Sequence, residues 1–258
     1  MFHIPTHLLR WQPVALLATV LASAPAWATP AAQQPPAASD GWRLQVTPYV
    51  WTLGLKSSLQ LSPQLPSVHV TQSFSDVWSD LQAAAFLNGT ARYGRYVFQA
   101  DASYASLARQ SVLAPGLPVR ATLQQSSLSL TGGYQWSLSE RNHLDLMAGL
   151  RAWHLRAQVQ ARPLLDRRLS ESFADPIVAA RWRHTLSARW SSLVYADIGG
   201  WNVGSHRTWQ LLATLNYQWN EQLYVSAGYR HLYVDYRDGF QRVAAHMAGP
   251  VIGATWRF

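Results

Sequence analysis

Arg92, Asp101, Asp145, Arg151, Asp175, Arg181, Arg183, Asp197 and Arg230 all fall in segments where apolar and polar residues otherwise alternate. In each segment the charge lies on the polar side of the alternation. A carboxylate embedded in such a stretch is tolerable only if it faces water or a cationic partner. Four aspartates set against five arginines therefore imply a linked set of ion pairs on one shared face. Two roles follow for such a set. It can fill and rigidify an enclosed space, or it can line a narrow passage, where the arginine excess would favour anions.

Other chemistry is less well supplied. Ser205, His206, His154, His231 and Asp235 fall toward one end of the alternating segments and offer the residue types of a hydrolase. Yet Ser205 and His206 are sequence neighbours, and no spacing fixes a nucleophile against a base. The expectation is that the protein is not an enzyme; a lipid- or peptide-cleaving site at that end is the alternative. His143 and Asp145 share a face, but the chain has no cysteine and no His-x-x-x-His on a helix, so no metal site is expected. Gly132-Gly133 and Gly199-Gly200 lie inside alternating segments and mark close backbone approach, not a phosphate-cradling loop. No cofactor is implied.

The elements that must position the charges are β-strands. In Arg207–Trp219, Trp209, Leu211, Ala213, Leu215, Tyr217 and Trp219 point one way, and Thr208, Gln210, Leu212, Thr214, Asn216 and Gln218 the other. The last ten residues alternate in the same manner: Pro250, Ile252, Ala254, Trp256 and Phe258 share a face opposite Gly249, Val251, Gly253, Thr255 and Arg257. Lipid on one side and a polar lumen on the other explains both patterns. Similar strands are expected at 42–51, 83–93, 95–107, 120–136, 143–156, 173–186, 190–201, 223–236 and 247–258. In the first of these Leu44, Val46, Pro48 and Val50 face lipid, with Arg43, Gln45, Thr47 and Tyr49 inward.

The turns near 94, 139, 188 and 220 are tight, whereas 108–119, 157–172 and 237–246 read as longer loops. Barrel termini and tight turns share the periplasmic side, so the longer segments are expected outside. The fold class is thus all-β: a transmembrane antiparallel up-and-down β-barrel of ten strands, with eight and twelve as the alternatives. Twelve would require Lys56–Ser62 and Ser67–Ser73 to span, but each is shorter than the roughly 9–11 residues a crossing needs. Ser75–Leu81 reads as a short capped helix within a region near 75–82.

Residues 1–28 have the form of a secretory signal, with Arg10 before the apolar run Val14–Ala22 and Ala26-Trp27-Ala28 as the cleavage site. Residues 29–41, rich in Pro, Ala and Gln, form an expected flexible periplasmic lead-in, leaving 42–258 as the barrel. No other stretch is long and apolar enough for a spanning helix. The 13 tryptophans and 11 tyrosines fit the aromatic girdles of such a barrel. With no cysteine, stability must come from backbone pairing and packing.

The net charge is +8 and Lys56 is the only lysine. The arginines are scattered through the strands instead of forming one patch, which argues against nucleic acid. Lipid phosphate is the better partner, because a guanidinium fork engages two phosphate oxygens. Arg162, Arg167 and Arg168, in an expected external loop, are the candidates for contact with outer-membrane lipid and lipopolysaccharide.

Several segments taken in order resemble a family of uncharacterised proteobacterial outer-membrane β-barrel proteins, small barrels of the OmpA and OmpW kind in the broad sense. They are Thr47-Pro-Tyr-Val-Trp51, the stretch Asp76–Leu81, Tyr93-Gly-Arg-Tyr-Val97 with Asp101, Ala148-Gly-Leu-Arg151 and Asp175-Pro-Ile-Val-Ala-Ala-Arg181. The later half adds Asp197-Ile-Gly-Gly200, Thr208-Trp-Gln210, Gly228-Tyr-Arg-His-Leu232, Asp235-Tyr236 and Gly249-Pro250. Phe173-Ala174 stands before Asp175 where the family often has a tryptophan. The resemblance implies a fold and a place in the cell outer membrane, and no activity. The expectation is a monomeric barrel with an ion-paired lumen, structural or a narrow porin-like channel for small solutes. Its Trp256 and Phe258 resemble the terminal signal read by the barrel-assembly machinery.

Overall fold

The computed structural model describes residues 41–258 apart from 53, 61–67, 73–79, 115–116, 162–164 and 239–240. The expected signal sequence, and all of the expected lead-in before Gly41, lie outside the described residues. Among the described residues twelve strands follow in chain order: β1 (Trp42–Trp51), β2 (Gly54–Gln60), β3 (Val68–Gln72), β4 (Leu81–Tyr93), β5 (Tyr96–Ala114) and β6 (Leu117–Ser137), then β7 (Asn142–Ala161), β8 (Leu165–Thr185), β9 (Trp190–Gly200), β10 (Arg207–Gln218), β11 (Leu223–Asp238) and β12 (Gln241–Arg257).

Ten of them form a closed antiparallel up-and-down barrel. β1 pairs with β4, each strand from β4 to β12 pairs with the next, and β12 returns to β1 from Gln45↔Arg257 to Trp51↔Val251. Closure leaves no unpaired barrel edge in the spanning region, as lipid demands. Reciprocal bonds finish the seam: Phe258 N donates to Leu44 O at 2.9 Å and Leu44 N to Phe258 O at 3.3 Å. The end that holds Trp42 and Phe258 is here termed the near end. It carries the tight turns, among them Gly94 with φ of 56°, a left-handed value that glycine adopts without strain.

Outward and inward faces are cleanly separated. Along β1, Leu44, Val46 and Val50 are exposed while Gln45, Thr47 and Tyr49 are half-buried and Trp51 is buried. Outward-facing aromatics gather at the near end, with Trp42 against Tyr93 (ring centroids 5.4 Å apart), Tyr134 against Trp136 (5.0 Å) and Trp190 against Tyr217 (5.0 Å). Farther up, the outward row of β7 runs Leu144, Leu146, Ala148, Leu150 and Ala152, then turns polar at His154, Arg156 and Gln158. Its neighbours turn polar at the same level, at Ser126 of β6 and Ser172 of β8, both opposite His154. Nine residues at about 3.3 Å each, tilted about 40°, give an apolar band close to the ~25 Å that a barrel presents to lipid.

The strands outlast this band, which corrects the sequence reading in three places. The expected loops 108–119, 157–172 and 237–246 are mostly strand: β5 runs to Ala114, β7 to Ala161, β8 begins at Leu165 and β11 meets β12 at Asp238↔Gln241. Beyond the lipid both faces meet water, so the alternation fades although backbone pairing continues. Arg167 and Arg168 are therefore strand residues of β8, and Arg162 lies outside the described residues. Secondly, 54–60 and 68–72 are strands, but they form a hairpin beside the barrel wall. β2 pairs with the upper half of β12, from Gly54↔Ala248 to Gln60↔Arg242, so it continues the line of β1. Finally, Leu81 and Gln82 belong to β4, drawn into it by pairing with β5 near Leu107. Of the rest of the expected helix, Asp80 is helical and 75–79 lie outside the described residues.

Candidate functional site: the filled lumen

Alternation turns the charged residues inward, and barrel closure brings together strands far apart in sequence. Arg92, Asp145, Arg151, Asp175, Arg181, Asp197 and Arg230 are all buried, as is Asp101. Because the next inward residue on a strand is two positions along, charges of neighbouring strands stack in levels.

Nearest the terminal mouth, Asp145 of β7 is met by three arginines. Arg92 of β4 donates from Nη2 to Oδ2 (2.7 Å) and from Nη1 to Oδ1 (3.2 Å). Arg181 of β8 donates from Nε to the same Oδ2 (2.9 Å), and Arg183 Nε lies 3.8 Å from it. Arg92 also reaches Gln135, and Arg181 reaches Thr90 and Gln99.

Midway up, two separate pairs cross the interior. Arg151 of β7 grips Asp197 of β9 with both terminal nitrogens, at 3.0 and 2.5 Å, while its Nε donates to Ser129 Oγ (2.9 Å). Arg230 of β11 donates to Asp101 Oδ1 of β5 (3.0 Å), to Gln210 and to the Tyr49 hydroxyl. Tyr49 in turn donates to Asp101 Oδ2 (3.1 Å). Two-point guanidinium–carboxylate bonds of this kind are among the strongest a protein makes.

Asp175 departs from the ion-pair expectation. Its carboxylate accepts from the Trp153 indole Nε1 (3.0 Å) and from the Ser205 backbone N–H (2.5 Å), so it anchors the β9–β10 loop, and it pairs with no arginine among the described residues.

Above these pairs the inward face becomes apolar, a feature the sequence reading missed. Trp51, Trp153, Leu232, Val234, Met247 and Val251 form one buried cluster, with Tyr49, Phe86, Leu107, Phe173, Leu212 and Ala245 packed against it. They come from strands on opposite sides of the barrel, so the cluster lies across the lumen. Phe173 continues it by stacking on Tyr236 at 4.5 Å. The signal was present in the parity: Trp51, Trp153, Leu232, Val234 and Met247 interrupt the polar side of their strands. A second cluster, Val97, Met147, Ala179 and Tyr195, fills the β5–β9 side lower down.

A cavity of about 120 Å³ runs along the β9–β12 side, room for several waters. Its lining extends from Asn216 and Thr255 near the terminal mouth to Arg230 and Val251 beneath the apolar layer.

The hydrolase-type residues do not assemble. Ser205 is fully buried in its loop, His206 Nδ1 contacts Asn202 Oδ1 (2.6 Å), and Asp235 accepts from Arg237 (2.7 Å) and Arg242 (3.0 Å). His231 faces outward with Trp209 (4.6 Å) and His246. His154 meets Ser172 Oγ at 2.6 Å on the outer wall, with no carboxylate or carbonyl orienting the ring among the described residues. Among the described residues no group of three metal-ligating side chains occurs.

No protein-family model matches the chain, and no curated protein matches it in sequence. Solved structures that it is similar to include the translocator domain of autotransporter NalP from Neisseria meningitidis, at 9% identity and TM-score 0.41, covering 85% of this chain and 89% of that one. The transport unit of the autotransporter AIDA-I from Escherichia coli gives 9% identity and TM-score 0.42, covering 84% and 90%. Ail, the attachment invasion locus protein of Yersinia pestis, gives 15% and 0.31, covering 85% and 99%. At these values the likeness carries no functional assignment, and the barrel rests on its own strand pairing.

Proposed function

We propose that the protein is a monomeric barrel of the cell outer membrane whose lumen is plugged by its own side chains, so that it acts as a structural element of the membrane and not as an open channel. The observation that carries this reading is the apolar layer of Trp51, Trp153, Leu232, Val234, Met247 and Val251 across the lumen, above the ion pairs. A hydrated pathway would have to break that packing and strip water from any ion that crossed it. In this reading the near end lies in the periplasm, and the terminal Trp256 and Phe258 serve the barrel-assembly machinery. The exposed Arg120 and Arg156, above the apolar band, face the phosphates of lipopolysaccharide.

Solute uptake into liposomes tests the plug. Vesicles carrying the wild-type barrel should not swell in a small neutral sugar. The Trp51→Ala/Trp153→Ala variant should admit it, because two large aromatic side chains leave the layer. Swelling of wild-type vesicles at the rate given by a general porin would overturn the reading.

A further inference from the structure

The arginines around Asp145 carry more charge and more donors than that carboxylate can answer. Arg92 Nη2, Arg181 Nε and Arg183 Nε lie 2.7, 2.9 and 3.8 Å from a single oxygen, Asp145 Oδ2. Among the described residues no second carboxylate pairs with any of the three, so three positive charges face one negative. Three guanidinium nitrogens there have no hydrogen-bond partner although they are buried: Arg92 Nε, Arg181 Nη2 and Arg183 Nε. A guanidinium cannot escape this by losing its proton. Buried charge that lacks a partner is costly, and a set of donors around one point is how proteins hold anions.

We propose that Arg92, Arg181 and Arg183 form a binding site for a doubly charged oxyanion of the phosphate class, entered from the near mouth. Two negative charges balance the excess, and the several oxygens of a tetrahedral ion can take donors from different directions. Access is built in. Arg183 is two residues from the end of β8 and its side chain is 28% exposed. Arg43 and Arg257 stand on the inward rows of β1 and β12 at the same mouth and extend the positive field. Arg181 also lines the 120 Å³ cavity, whose own carboxylate, Asp101, is already paired with Arg230 at 3.0 Å. Lipid tails cannot follow a headgroup into the lumen, so the ligand is the free ion. The site does not depend on whether the lumen above it is sealed.

Titration of the purified barrel in a nonionic detergent with inorganic phosphate tests this, against chloride at matched ionic strength. Calorimetry should show saturable phosphate binding, and the thermal midpoint should rise to a plateau with phosphate alone. Arg183→Gln, at the most exposed of the three positions, should weaken binding at least tenfold while the barrel stays heat-modifiable. Arg189→Gln, in the β8–β9 turn at the same mouth, should bind as wild type does. Equal responses to phosphate and chloride, or wild-type affinity in the Arg183→Gln protein, would overturn the assignment. The comparison of salts on the wild-type chain decides the matter even if a variant fails to fold.

Discussion

Arg151 has 1% of its surface exposed, and all three of its guanidinium nitrogens are bonded, to Asp197, Ser129 and Thr208. Its removal would strand Asp197 as a buried charge, so Arg151→Met should destabilise the barrel by about 3–5 kcal/mol. Replacing both partners, Arg151→Met with Asp197→Leu, should recover most of that loss, since no charge is then left alone. Equilibrium unfolding in urea from detergent micelles measures both, and a double variant no more stable than the single would contradict the coupling. At this scale, part of the site was legible in the sequence. Strand parity alone turned all nine charges inward. Which arginine meets which aspartate was not legible, because partners such as Arg230 and Asp101 lie 129 positions apart and are set by strand tilt and barrel width. Nor could parity show that Asp175 serves Trp153 and Ser205.

The elements were legible only where two solvents meet the strand. Within the apolar band, lipid outside and polar groups inside write a period of two into the chain, and strand edges there fall within a few residues of expectation. Above Ser126, His154 and Ser172 water touches both faces and the pattern loses its reason, so β5–β8 extend beyond where the alternation stops. The β2–β3 hairpin is the clearest case. Its segments alternate, yet they are too short to cross and attach only to the upper half of β12. Because β1 closes on β12 independently, through Gln45↔Arg257 to Trp51↔Val251, replacing residues 54–80 with a short turn should leave an intact ten-strand barrel. That variant should still migrate as a folded, heat-modifiable species in gel electrophoresis. Loss of the folded band would show that the hairpin is needed for closure.

For the molecule as a whole, the lumen is organised along its axis. An arginine-rich mouth gives way to a level of crossed ion pairs beside a small cavity, and then to an apolar layer. A ten-strand barrel lies between the eight-strand size that side chains can fill and the sixteen-strand size that leaves a channel. Strand number therefore leaves the state of the lumen open, and the side chains decide it. Single-channel recording in planar lipid bilayers addresses that decision most directly. With the folded wild-type protein inserted, the proposed plug should give no discrete conductance steps, and steps should emerge in the Trp51→Ala/Trp153→Ala variant. Regular wild-type steps whose ion selectivity changes on Arg181→Ala or Asp197→Ala would mean that ions pass the ion-paired levels, and would contradict the plug.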